Sequence, residues 1–196
     1  ALIPLLFIGS GIAIANGGGA PLSKTGVPAL GGKSAEGTCY NCHNDYAVNN
    51  GATLSFIGAP AYYVAGATYD FSVQIASTQT AGFAGRVWAF ELTAVNMADG
   101  TGAGTFTNVL ETQIVGGNGQ YATRQYLQAS PDRSRTASPS VWQVQWTAPA
   151  TGAGPVGFFA SGIAGDGEGD NGGDWACSGS SIMEDVTAVE ASTWGR

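Results

Sequence analysis

The chain has 196 residues, 44% of them hydrophobic, and its 14 acidic side chains against 7 basic ones leave a net charge of −7. That length suits one domain with its own core, and the charge excludes partners built of phosphate backbone or anionic lipid headgroups, nucleic acid first among them. Abundant Gly, Thr, Val, Tyr and Trp with few charged residues favours short strands and tight turns over helices.

Residues 1–15, ALIPLLFIGSGIAIA, form an apolar run with no charge. The Ala13-Ile14-Ala15 ending resembles a signal-peptidase site before Asn16. As a helix the run reaches about 22 Å, short of the roughly 30 Å hydrocarbon core of a bilayer. It reads as a hydrophobic helix that anchors the chain to a membrane complex or a filament, the alternative being a retained signal peptide. Residues 16–37 are rich in glycine and proline and show no hydrophobic period, which predicts a linker that either tethers the downstream domain or wraps along it.

Within residues 38–51 stands Cys39-Tyr40-Asn41-Cys42-His43. A CxxCH run is the attachment site of a c-type haem: two thiols add to the porphyrin vinyl groups and the adjacent imidazole binds iron. A short helical turn brings the three side chains to one macrocycle. Two competing readings stand beside one covalent haem c: a Cys39–Cys42 disulfide, and a zinc site that adds His43 and Cys177. Thioether attachment occurs outside the cytoplasm, so the folded part is expected in a prokaryotic periplasm or at the cell surface, membrane-anchored.

Residues 52–190 read as one β-sandwich domain. Strands are expected at 52–57, 69–77, 86–95, 109–115, 121–128, 141–147 and 155–161, with turn signals between them. Trp88, Phe90, Leu92 and Ala94 share one strand face, as do Trp142, Val144 and Trp146, while Gln143 and Gln145 face water. Strands of this kind pack as two antiparallel sheets with the tryptophans between them.

The segments GATY at 66–69, FELTA at 90–94, WTAP at 146–149, GPVGF at 154–158 and Gly173-Asp174, following the CxxCH run, resemble the bacterial Reeler-type domains called choice-of-anchor V proteins. The resemblance covers residues 36–188. It implies an extracytoplasmic Ig-like sandwich, commonly surface-anchored, whose CxxCH carries haem. Trp175-Ala176-Cys177 departs from that pattern.

His43 is the only histidine, so the sixth iron position must fall to another residue type. Met97 is the expected distal ligand and Met183 the alternative, each competing with a plain packing role. A neighbouring subunit, the Cys177 thiolate or an open position are the other options. Asp166, Glu168, Asp170 and Asp174 alternate with glycines as in a calcium loop, against the reading of a solvated turn-rich segment. Glu184 and Asp185, adjacent on a strand, should point to opposite faces. With its one histidine taken and GxSxG absent, the chain has no hydrolytic constellation, and no enzyme is expected.

The leading expectation is therefore a membrane-tethered monohaem electron carrier, a subunit of a respiratory or photosynthetic complex or of a filament, with a redox partner protein. The competing one is a structural or accessory surface module whose CxxCH is a disulfide or zinc site.

Overall fold

The computed structural model describes residues 19–79, 87–130 and 138–186. The apolar run 1–15 lies outside them. Among the described residues no helix is long and apolar enough to cross a membrane.

Among the described residues ten strands succeed one another in chain order: β1 (Ala52–Ile57), β2 (Tyr62–Tyr63), β3 (Thr68–Ser77), β4 (Val87–Asn96), β5 (Thr105–Thr107), β6 (Thr112–Gly116), β7 (Gln125–Ala129), β8 (Ser140–Thr147), β9 (Val156–Gly165) and β10 (Trp175–Asp185). They form one sheet in the order β1-β3-β8-β5 and a second in the order β2-β10-β9-β4-β7-β6. Pairing is antiparallel except where β2 lies parallel to β10. The chain is an all-β sandwich.

The alternation in β4 and β8 does what it predicts. Trp88, Phe90, Leu92, Trp142, Val144 and Trp146 are all buried in one core with Phe71 and Phe158. Trp146 meets the edge of Phe158 at 4.9 Å between ring centroids, and Phe158 meets Phe71 edge-on at 5.3 Å. Such edge-to-face pairs add to the burial of large apolar surface. Glu184 is exposed and Asp185 buried, as their opposite facing on β10 requires.

Three segments differ from expectation. The strand read at 109–115 begins only at Thr112, as β6, after a turn in which Thr112 N–H donates to Val109 O, and β5 precedes it as a separate short strand. The one read at 121–128 begins as a 3-10 turn over Gly119–Tyr121 and becomes a strand only at Gln125. β10 has no counterpart among the expected strands, because small and polar residues fill it.

Residues 19–37, within the expected linker, take the second of its two courses and wrap along the domain. They lie on the outer face of the six-stranded sheet. Residues 25–38 close into a hairpin, with Gly26 N–H donating to Gly37 O, Glu36 N–H to Val27 O, and Leu30 and Lys33 bonding mutually. At its tip Gly31 and Gly32 both have positive φ, +55° and +79°, the geometry of a two-residue turn that glycine adopts without strain. Beneath it, Val27 packs on Val95 and Phe159, with Leu30 and Met97 at the margin. The sandwich therefore carries a third layer on one face.

Candidate functional site

The CxxCH run forms the 3-10 turn Cys39–Asn41 that ends the hairpin. Thr38 N–H donates to Asn41 Oδ1 at 2.7 Å, and the N–H groups of Cys42 and His43 both donate to Cys39 O. A Cβ at Gly37 would stand 2.1 Å from Asn41 Oδ1 and push that side chain out of its bond to Thr38 N–H. The turn is clamped to the sheet: Cys39 N–H donates to Ser161 Oγ at 3.0 Å, and Ser161 Oγ donates to Cys177 O on β10. The three residues that the CxxCH spacing unites thus share one fixed turn.

Their environments are unequal. Burial, opposed by the Ser161 contact and reinforced by the charge of Glu91, pushes the Cys39 thiol up to about 11. Cys42 is exposed, and neither cysteine is in a disulfide. His43 Nδ1 and Asp174 Oδ2 share a hydrogen bond at 2.6 Å, and Asp174 is only 3% exposed. Its Nε2 has no hydrogen-bond partner among the described residues. Next to this pair, Tyr46 stacks on Trp175 at 4.5 Å and 14°. Asn49 ties the segment to the edge of β10, its N–H donating to Ala176 O and its Oδ1 accepting from Ser178 N–H.

Both proposed distal ligands lie elsewhere. Met97 packs against Gly157, and Met183 is buried in the core opposite Val156. His43 is held by Asp174, which binds the chain just beyond Gly165. At about 3.4 Å per residue, the two ends of β9 (Val156–Gly165) are separated by roughly 30 Å, so neither methionine reaches iron on His43 in this fold. Cys177 is no better placed. Its side chain is buried in the core, and burial first of all raises its thiol to about 12, which keeps it protonated. Its thiol donates to Gly162 O, and among the described residues no three His, Cys, Asp or Glu side chains come together, so the four-ligand zinc set does not assemble.

The acidic loop is built of turns and forms no cage. Asp166 Oδ1 accepts from Glu168 N–H at 2.9 Å, and Asp170 Oδ1 from Gly172 N–H at 2.8 Å. Asp174 divides its oxygens between His43 and Asp166 N–H. Among the described residues, no three His, Cys, Asp or Glu side chains come together to hold a metal ion. Asp166, Asp170 and Asp174 each accept an N–H donor of the chain, and Glu168 is exposed.

Charged residues that sequence reasoning passed over hold the hairpin down. Glu36 and Arg124 form a fully buried ion pair. Tyr126 OH donates to the same Glu36 at 2.6 Å, and the Arg124 Nε and Nη2 groups donate to Gly100 O at 3.0 and 2.8 Å. Glu91 accepts from Lys24 N–H at 2.6 Å and from Gln128 Nε2 at 3.0 Å.

A c-type haem needs two free thiols and an imidazole with one unengaged nitrogen, and these stand together on one turn; the groove of about 340 Å³ beside Thr38 is lined by other residues, among them Pro28, Phe159 and Ser180.

No protein-family model and no curated protein matches this chain. Among solved structures it is similar to the Reelin-N domain of F-spondin, at 20% identity over 75% of this chain and 94% of that one, with a TM-score of 0.46. It is also similar to the human F-spondin reeler domain, at 21% identity over 71% and 91% of the two chains with a TM-score of 0.44. A cohesin module of a Clostridium perfringens family 33 glycoside hydrolase is similar at 11% identity, 69% and 95% coverage and a TM-score of 0.41.

Proposed function

We propose that this chain is a non-enzymatic β-sandwich module carrying one covalent haem c for electron transfer. The observation that carries the reading is that Cys39, Cys42 and His43 share a single turn clamped to the sheet, with both thiols free and Nε2 of His43 unengaged. In attachment, each S–H would add across a vinyl C=C, sulfur to one carbon and hydrogen to the other, with no net oxidation. Cys39 and Cys42 would hold the group, and His43 Nε2 would bind its iron. When bound, haem supplies a one-electron ferric/ferrous couple.

The chain's own contribution is placement. Ser161 fixes the turn against β9, the hairpin fixes its N-terminal side, and Asp45, Tyr46 and Asn49 fix its C-terminal side on the acidic loop and β10. We place the module outside the cytoplasm, tethered through residues 1–15 to a membrane complex or to further copies of itself, and passing electrons to a partner protein.

A structural or accessory surface module is the second reading. It is favoured by the backbone of the turn and hairpin pairing with groups of the same chain. Intact mass and pyridine haemochrome spectroscopy of protein from an export-competent host separate the two. The haem reading expects one covalent haem per chain, lost in C39A/C42A. A colourless chain of unmodified mass overturns it and leaves the accessory reading.

A further inference from the structure

The acidic loop after β9 holds one carboxylate whose reach extends beyond the loop. Asp174 is buried, and its oxygens have separate tasks: Oδ1 accepts Asp166 N–H at 2.9 Å, and Oδ2 meets His43 Nδ1 at 2.6 Å. Its neighbours are fixed in turn. Gly173 O accepts from Gln79 Nε2 at 2.8 Å, Gly173 N–H donates to Asp45 Oδ2 at 2.8 Å, and Trp175 lies under Tyr46. An ionised carboxylate only accepts, so opposite an ionised Asp174 the proton shared with His43 belongs to Nδ1.

We infer that Asp174 is a positioning residue for His43: it fixes the Nδ1–H tautomer, leaves Nε2 as the lone-pair nitrogen, and by its charge makes Nε2 a stronger donor toward a metal. A hydrogen bond to the far ring nitrogen is what selects the coordinating one and raises its basicity. The Gly/Asp run thereby acquires a role other than cation binding. It is a brace that delivers one carboxylate to the turn carrying the two thiols. The donor-strength part of the inference rests on the haem reading; the tautomer part does not.

His43 is the chain's only histidine, so [15N]histidine labelling gives one ring to read. The full chain made in the cytoplasm, where thioether bonds do not form, should show a protonated Nδ1 and a lone pair on Nε2. Asn has one oxygen for the two donors that Asp174 accepts, so D174N should lose that single tautomer, while D170N, which removes a charge from the same loop, should keep it. In the exported, haem-bearing chain, D174N should weaken preference for the ferric form about tenfold, a rise in potential of about 59 mV, with D170N close to the parent. A parent ring protonated on Nε2 overturns the inference even if D174N fails to fold. So does a D174N potential matching that of D170N. A colourless exported chain with a protonated Nδ1 overturns only the proposed function.

Discussion

Glu91 lies on the face of β4 that points away from the core, between Phe90 and Leu92, and it is fully buried because the hairpin covers that face. Burial raises its carboxyl from 4.5 to about 7. The Lys24 N–H and the Gln128 amide oppose the rise, and the charge of Glu36 adds to it. The folded chain thus holds this proton more tightly than the unfolded one. Its contribution to stability is complete below about pH 4.5 and is lost as pH rises through about 7. The loss is at most about 3 kcal/mol. The urea midpoint of the parent should therefore fall between about pH 5 and about pH 8, and E91Q should show little of that fall. An equal fall in both chains would remove Glu91 as its source. Alternation alone shows that Glu91 faces outward. What lies over the outer face is information that β4 does not contain, so a residue that reads as solvated is in fact buried.

At the scale of elements, legibility follows how much apolar surface each one carries. β1, β3, β4, β8 and β9 alternate large hydrophobic residues and are visible in the chain within a few residues of their ends. β10 packs Cys177, Gly179 and Met183 inward, a face too small to produce a hydrophobic pattern. It also begins immediately after the acidic loop, whose glycines signal only a turn. The hairpin is hidden for a different reason. Its chief anchors are polar: Glu36 with Arg124, Tyr126 and Thr25, and the backbone of Lys24 with Glu91. The CxxCH turn is legible because its chemistry is local, whereas Asp174, 131 positions from His43, is joined to it only by the fold. The hairpin's dependence on Glu36 is testable. Removing one member of a buried ion pair leaves the other charge uncompensated, at a cost of about 3–5 kcal/mol. In E36A the amide of Gly26, bonded to Gly37 O across the hairpin, should exchange with solvent far faster, while Val144 in the core keeps most of its protection. If Gly26 stays as protected as in the parent, the ion pair is not what holds the hairpin.

For the molecule as a whole, the third layer couples the CxxCH turn to the sandwich. The four-stranded sheet turns polar residues such as Gln143 outward, so it needs no cover. The six-stranded sheet turns Val95, Phe159, Tyr126 and Glu91 outward, and all four are buried only because residues 19–38 lie over them. Each large apolar side chain kept from water contributes about 1.5–3 kcal/mol, against a total domain stability of about 5–15 kcal/mol. The hairpin is therefore a working part of the fold, and it ends at the residue where the Cys39 turn begins. A chain beginning at Thr38 retains the whole CxxCH motif and every strand but loses that layer. Relative to a chain beginning at Asn16, it should unfold at a markedly lower urea concentration, bind a dye for exposed apolar surface in its native baseline, and acquire less covalent haem per chain when exported. Equal urea midpoints and equal haem content in the two chains would show that the motif and the sandwich suffice without the layer between them. Loss of haem with an unchanged midpoint would instead confine the hairpin's role to placing the turn.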